Sequence, residues 1–269
     1  MSNVDQQDPT AGSLPVLSIA GARAEIRLNR PRQHNRIEPC DLAVIDGYLD
    51  RLAQDKSLRL VVLTGTGEKT FSSGYSLNAL DANAPGSVGR PAISLETVID
   101  KLEDLPQPTV CAMNGSIYGA ATDFALACDF RIGVRGISMV MPAAKIGIHY
   151  YAQGMRRYVE RLGLTTAKRL FMSAEKIDSD EMLRIGFLDA AVERAELAAR
   201  IDDMLRTYEH LAPNAVQGMK RDLNLIARGR FDAQEMNRSG FERSLLSADL
   251  AEGLAAHEEK RAPKFSLPD

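Results

Sequence analysis

The chain has 269 residues, 45% hydrophobic and 26% charged, enough to bury a large core as one globular domain. Its formal net charge of −3 gives no global pull toward nucleic acid or an anionic membrane, so a phosphate-bearing ligand must be held by local groups. Three cysteines, Cys40, Cys111 and Cys128, show no C-x-x-C spacing, which argues against a disulfide framework and a zinc site and for buried reduced thiols.

Residues 1–13 are polar and read as a disordered tail. They carry no basic or apolar leader segment, and no later apolar run approaches membrane-spanning length, so a cytoplasmic protein with no membrane partner is expected. Val16, Leu17 and Ile19, then Ala24, Ile26 and Leu28, fit two strands around the turn residue Gly21. Leu42, Ile45, Leu49 and Leu52 recur at helical spacing from Glu38, and the β-branched run Leu60–Leu63 follows, which suggests a crossover. The pattern repeats with a helix over Ser94–Leu105, a strand over Thr109–Met113 and a helix of small residues over Gly119–Cys128. Strands follow at Phe130–Val134 and Ser138–Met141. Nearly everything from Ala152 onward reads as helix: Ala152–Leu162, Thr166–Met172, Ala195–Tyr208, Asn214–Ala227 and Phe231–Glu259. Such alternation favours an α/β layered architecture.

Two stretches carry chemistry. In Phe71-Ser72-Ser73-Gly74-Tyr75 a glycine sits where the chain must turn, and such a turn can aim a backbone N–H outward. In Asn114-Gly115-Ser116-Ile117-Tyr118-Gly119-Ala120-Ala121-Thr122-Asp123 small residues open a helix and let a ligand approach N–H groups at its positive end. Two N–H groups converging there would polarise a carbonyl. Gly65-Thr66-Gly67-Glu68-Lys69-Thr70 looks like a phosphate loop, but Glu68 separates the glycine from the lysine, and no G-x-G-x-x-G follows a strand. His34, His210 and His257 have no metal-ligand spacing, so surface or capping positions and no metal are expected.

Together with Leu28-Asn29-Arg30-Pro31 and Asn35, Leu60–Gly65, Ala127–Ile132, Pro142–Gly147 and the closing Glu252–Phe265, these segments resemble the crotonase, or enoyl-CoA hydratase/isomerase, superfamily in order along almost the whole chain. The resemblance implies a crotonase (ClpP-like) fold of repeated ββα units over residues 14–200 and a C-terminal helical region over 201–269 that builds a homotrimer or a hexamer, a dimer of trimers. It implies an acyl-CoA ligand with coenzyme A as part of the substrate and no other cofactor. The N–H groups of Tyr75 and Ala120 would form an oxyanion hole for the thioester. Arg30, Arg32, Arg36 and Ser73 would lie at the CoA, while Lys260, Lys264 and Phe265 match a segment that often reaches a neighbouring subunit's CoA.

The chain departs from the family's pattern at three positions. Where the family's hydratases carry two glutamates it has Asp123 and Ala143, and Ser76 replaces a frequent aspartate. Asp123 can serve as general acid or base, or simply as a carboxylate favoured by the helix dipole. His149, Tyr150 and Tyr151 lie along the expected acyl pocket, with His149 and Tyr151 as candidates to replace the missing carboxylate and the tyrosines also fitting a tunnel lining. The reaction stays open between hydration, isomerisation, a silent acyl-CoA binder and a hydrolase or lyase acting on a ring-bearing or aryl acyl-CoA.

Overall fold

The computed structural model describes residues 13–80 and 93–267, so the tail expected over 1–13 lies outside it except for Ser13. β1 (Val16–Ala20) and β2 (Arg23–Leu28) form an antiparallel hairpin turned at Gly21. Helix α1 (Pro39–Gln54) follows, with proline in its first turn and the Asp41 carboxylate accepting from the Glu38 N–H at 2.9 Å.

β3 (Leu60–Gly65), β5 (Thr109–Met113), β7 (Phe130–Val134) and β10 (Ala190–Val192) extend the hairpin into a six-stranded sheet of order β1-β2-β3-β5-β7-β10, parallel from β2 onward. A second sheet has the order β4 (Thr70–Ser72), β6 (Ser116–Tyr118), β8 (Ser138–Val140) and β9 (Lys176–Asp178). Each ββ pair is followed by a helix: β3-β4 by α2 (Leu95–Glu103), β5-β6 by α3 (Ala120–Ala127) and β7-β8 by α4 (Ala152–Leu162). This is the repeated ββα crotonase fold.

Strand alternation divides the core. Val61, Leu63, Cys111 and Met113 face the main cluster, which takes in side chains of α1 to α4. Leu60, Val62, Val110 and Ala112 face the other way, where Ile201 of α7 (Leu197–Glu209) covers them. Strands buried on both faces have few polar positions, which is why Leu60–Leu63 of β3 read as an unbroken apolar run. The boundary expected after residue 200 falls inside α7, whose Ile201 is part of the sheet's cover.

Beyond α4 the chain is less uniformly helical than its sequence suggests. α5 (Leu164–Ser173) is followed by β9, α6 (Ser179–Arg184) and β10 before α7 and α8 (Pro213–Ala227). The stretch Phe231–Glu259 is not one helix: α9 (Ala233–Met236) runs into a π-helical turn over Asn237–Glu242, and α10 (Ala248–Glu258) restarts where the Ser247 hydroxyl accepts from Leu250 N–H at 3.1 Å. Among the described residues no helix is long and apolar enough to cross a membrane.

Candidate active site

The site is built where the turns after β4 and β6 meet. The first is zipped to residues 34–37: Ser73 N–H donates to His34 C=O at 2.8 Å, Ile37 N–H to Gly74 C=O at 2.9 Å and Ser76 N–H to Ile37 C=O at 2.9 Å. Tyr75 thus stands opposite Ile37 in a parallel bridge, and in that pairing its own N–H points away from Ile37. The turn needs glycine at Gly74, where φ is 90° and a Cβ would lie 2.7 Å from Tyr118 C=O and 3.1 Å from Ala120 N. The buried Ser72 hydroxyl donates to Asn35 C=O at 2.7 Å and accepts from Gly74 N–H at 3.1 Å, fixing the turn from beneath.

Ala120 is the first residue of α3, and Gly119 before it provides no side-chain cap. The first N–H groups of a helix have no partner within it. Among the described residues no acceptor is recorded for Tyr75 N–H or Ala120 N–H. Two backbone donors therefore sit on touching turns, one of them at the positive end of a helix.

One turn along α3, Asp123 is fully buried and bound on every side. Arg157 of α4 meets it through Nε at 2.7 Å from Oδ1 and Nη2 at 3.2 Å from Oδ2. The Tyr151 hydroxyl donates to Oδ2, as does Tyr150 from 3.4 Å. Gly154 makes room for this: a Cβ there would lie 2.3 Å from the Tyr150 ring and 2.8 Å from Asp123 Oδ2. Burial, then the Asp123 charge, pushes both phenols well above the usual tyrosine range. Tyr158 hydrogen-bonds Thr122, and burial pushes its phenol up as well.

Arg157 is itself fully buried and continues to Asp100 at 2.6 Å and Glu103 at 3.2 Å on α2. Glu103 also takes Arg156 at 2.6 Å and Arg228, from the end of α8, at 2.8 Å. Burial works to raise Glu103, but the Arg156 hydrogen bond and the Arg157 and Arg228 charges outweigh it and hold the carboxyl below its ordinary range.

His149, two residues from Tyr151, is exposed and not among the groups on Asp123. Ala143 is buried among apolar side chains. Ser76 is buried in the zipped turn.

Of the groups expected at the CoA, Arg30 and Ser73 belong to segments brought together by Asn35, which accepts from Arg30 N–H at 3.0 Å and donates to Thr66 C=O and Thr70 C=O at 2.9 Å each. The Arg30 guanidinium grips Asp41 with two hydrogen bonds of 3.0 and 2.8 Å. Arg36 pairs with Glu38, and Arg32 is exposed. Lys260 and Lys264 are exposed elsewhere, on a tail folded back over α10, where Arg261 and Lys264 N–H bind Glu252 and pull its carboxyl down to about 2. Phe265 is half-buried on that tail, beside Gly253. Cys40 is exposed, contrary to its expected burial, while Cys111 and Cys128 are buried. His34, His210 and His257 are exposed, and no metal-holding group occurs among the described residues.

Arg157 and Glu103 had no motif to announce them. The one local signal is a basic residue on the face of α4 that also carries Gly154, Tyr158 and Leu162, all buried.

A family model for enoyl-CoA hydratase/isomerase matches residues 19–267. The chain is 28% identical to a short-chain-enoyl-CoA hydratase of Clostridium acetobutylicum, over 91% of this chain and 95% of that one. It is 29% identical to a carnitinyl-CoA dehydratase of Salmonella typhi, over 92% and 96%. A crystal structure of an enoyl-CoA hydratase from Bacillus anthracis superposes with a TM-score of 0.86 at 28% identity, covering 94% of this chain and 99% of that one. With the model spanning nearly every residue and the ββα architecture repeated throughout, the chain belongs to the enoyl-CoA hydratase/isomerase family.

Proposed function

We propose that the protein acts on an acyl-CoA thioester in the manner of a hydratase or isomerase, with Tyr75 N–H and Ala120 N–H as an oxyanion hole for the enolate. The observation that carries this is the contact of the two turns at Gly74, which brings two backbone donors without recorded acceptors together at a helix start. Donors so placed are each worth about 3 kcal/mol in the transition state. The Asp123–Tyr151 pair, one helical turn away, is the polar group nearest to the reacting carbons. The CoA lies along the Arg30–Asn35 turn and Ser73, with Arg32 and Arg36 at its phosphates.

The trimer or hexamer that the family resemblance implies would place the C-terminal region between copies. The tail carrying Lys260, Lys264 and Phe265 continues to Ser266, whose C=O accepts from Arg59 at 3.3 Å, just before β3, whereas Arg30 follows the far end of β2. A six-residue strand separates those ends by roughly 17 Å, and in an assembly the tail of one copy would reach the CoA of another. Leu246, Phe241 and Leu254 of the C-terminal region are exposed at 91%, 63% and 63%, an apolar face for such contacts.

Crotonyl-CoA and a 3-enoyl-CoA, incubated with the protein while the conjugated-thioester absorbance is followed, test the reading. Loss of absorbance from crotonyl-CoA indicates hydration and gain from the 3-enoyl ester indicates isomerisation. Binding of both esters without turnover favours the second reading, a silent acyl-CoA binder, for which the buried, fully engaged Asp123 and the apolar surroundings of Ala143 speak.

A further inference from the structure

The donor at the start of α3 belongs to the peptide unit that joins Gly119 to Ala120. That unit is planar and trans, so its C=O and N–H point in opposite directions, and whatever holds Gly119 C=O sets the direction of Ala120 N–H. Gly119 by itself leaves the unit free to turn, because its φ of 54° and ψ of −133° lie in a region that residues with a side chain rarely adopt. Its own N–H is anchored to Val140 C=O at 3.0 Å. Its C=O accepts twice from Thr122, from the backbone N–H at 3.0 Å and from the hydroxyl. The Thr122 hydroxyl is also hydrogen-bonded to the Tyr158 hydroxyl of α4. A hydroxyl has one proton to give and a carbonyl can only accept, so Thr122 donates to Gly119 and Tyr158 donates to Thr122. Both side chains are 0% exposed, and the Tyr158 ring packs on Phe171 of α5 with centroids 4.6 Å apart. Threonine hydroxyls often bond back to a carbonyl three residues earlier. This one differs in that the peptide it grips carries the N–H of the hole, and a buried phenol fixes the direction in which it donates.

We propose that Thr122 is a positioning residue for the oxyanion hole and Tyr158 its support: the relay from Tyr158 O–H to Thr122 O–H to Gly119 C=O holds the Gly119–Ala120 peptide with its N–H toward the thioester oxygen. This rests on the acyl-CoA reading of the site and deepens it. Hydrogen bonds in a chain polarise one another, so the two accepted by Gly119 C=O also make the N–H of the same peptide a stronger donor. Burial pushes the Tyr158 phenol up, which keeps its proton in place for the relay. The neighbouring Asp123–Arg157 pair ties α3 to α4 independently, so the Thr122 hydroxyl can be removed without detaching the two helices.

The test is the infrared C=O stretch of bound butyryl-CoA labelled with carbon-13 at the thioester carbonyl. This saturated ester has no double bond to hydrate or move, so the readout does not depend on which reaction the protein performs. Binding to the wild type should lower the stretch, because hydrogen bonds to the oxygen weaken the C=O bond. Thr122→Val, of nearly the same shape without the hydroxyl, should lose most of that downshift, Thr122→Ser should restore it, and Tyr158→Phe should lose part of it. A thermal melt confirms that each variant is folded, with Thr122→Ala in place of the valine should the latter not fold. An undiminished downshift in the variant lacking the hydroxyl, or a loss in Thr122→Ser as complete as in that variant, overturns the role of Thr122. An undiminished downshift in Tyr158→Phe overturns the support given by Tyr158. A wild type that binds the ester without lowering the stretch overturns the hole itself, and one that does not bind it overturns the acyl-CoA reading as well.

Discussion

Buried charge sets the terms at the level of single residues. Asp123 is tolerated in the core because Arg157 and two phenols satisfy its oxygens, and Arg157 because three carboxylates surround it. Removing one partner strands the others without water, which typically costs about 3–5 kcal/mol. Arg157→Met should therefore lower the urea unfolding free energy by that amount, and Asp123→Leu placed on top of it should recover much of the loss. A single variant as stable as the wild type would show that the pair is not buried in solution. Glycine acts at the same scale through what it lacks: in Gly154→Ala the new methyl meets the Tyr150 ring and Asp123 Oδ2, and overpacking of this kind costs about 1–3 kcal/mol. A melting curve of that variant superimposing on the wild type's would contradict the tight approach of α4 to α3.

Legibility in the sequence follows the range of the forces that shape each element. The turn at Gly74 and the opening of α3 were readable because a glycine at positive φ and a run of small residues are local in the chain. The Arg157–Asp123 pair joins residues 34 apart on different helices, and no periodicity signals it. Tyr150, Tyr151 and His149 illustrate the same limit. They lie in an irregular stretch before α4, where no 3.6 or 2.0 repeat says which way a side chain points, and the fold turns the tyrosines onto Asp123 and leaves the histidine exposed. β9 and β10 escaped notice because three residues are too few to show alternation, and their pairing with β8 and β7 comes from distant chain. The break before α10 was signalled by Ser247, a good N-cap, but lost in the apolar spacing on both sides.

Across the whole molecule, stability should fall at both ends of the pH scale, for opposite reasons. Glu103 has a folded value below its unfolded one of about 4.3, so its contribution is present above that pH and is lost as pH falls through the folded value. Tyr150, Tyr151 and Tyr158 are raised, so theirs is present below the unfolded value of about 10 and is lost as pH climbs toward the folded values. Urea midpoints measured from pH 3 to 11 should trace this dome, and Glu103→Gln should flatten its acid side; an unchanged acid limb would remove Glu103 from the explanation. Through Arg228 the Glu103 network also ties the end of α8 to the cluster around Asp123.

The oxyanion hole itself is tested most directly by deleting one donor. Ala120 stands at the first position of α3, where proline is well tolerated and brings no N–H. Ala120→Pro should lower kcat on the enoyl-CoA that the wild type turns over by roughly a hundred- to a thousandfold, with CoA-ester binding largely retained, while Ala120→Gly, which keeps the N–H, stays near wild type. A folded Ala120→Pro variant with kcat close to that of the wild type would contradict the hole.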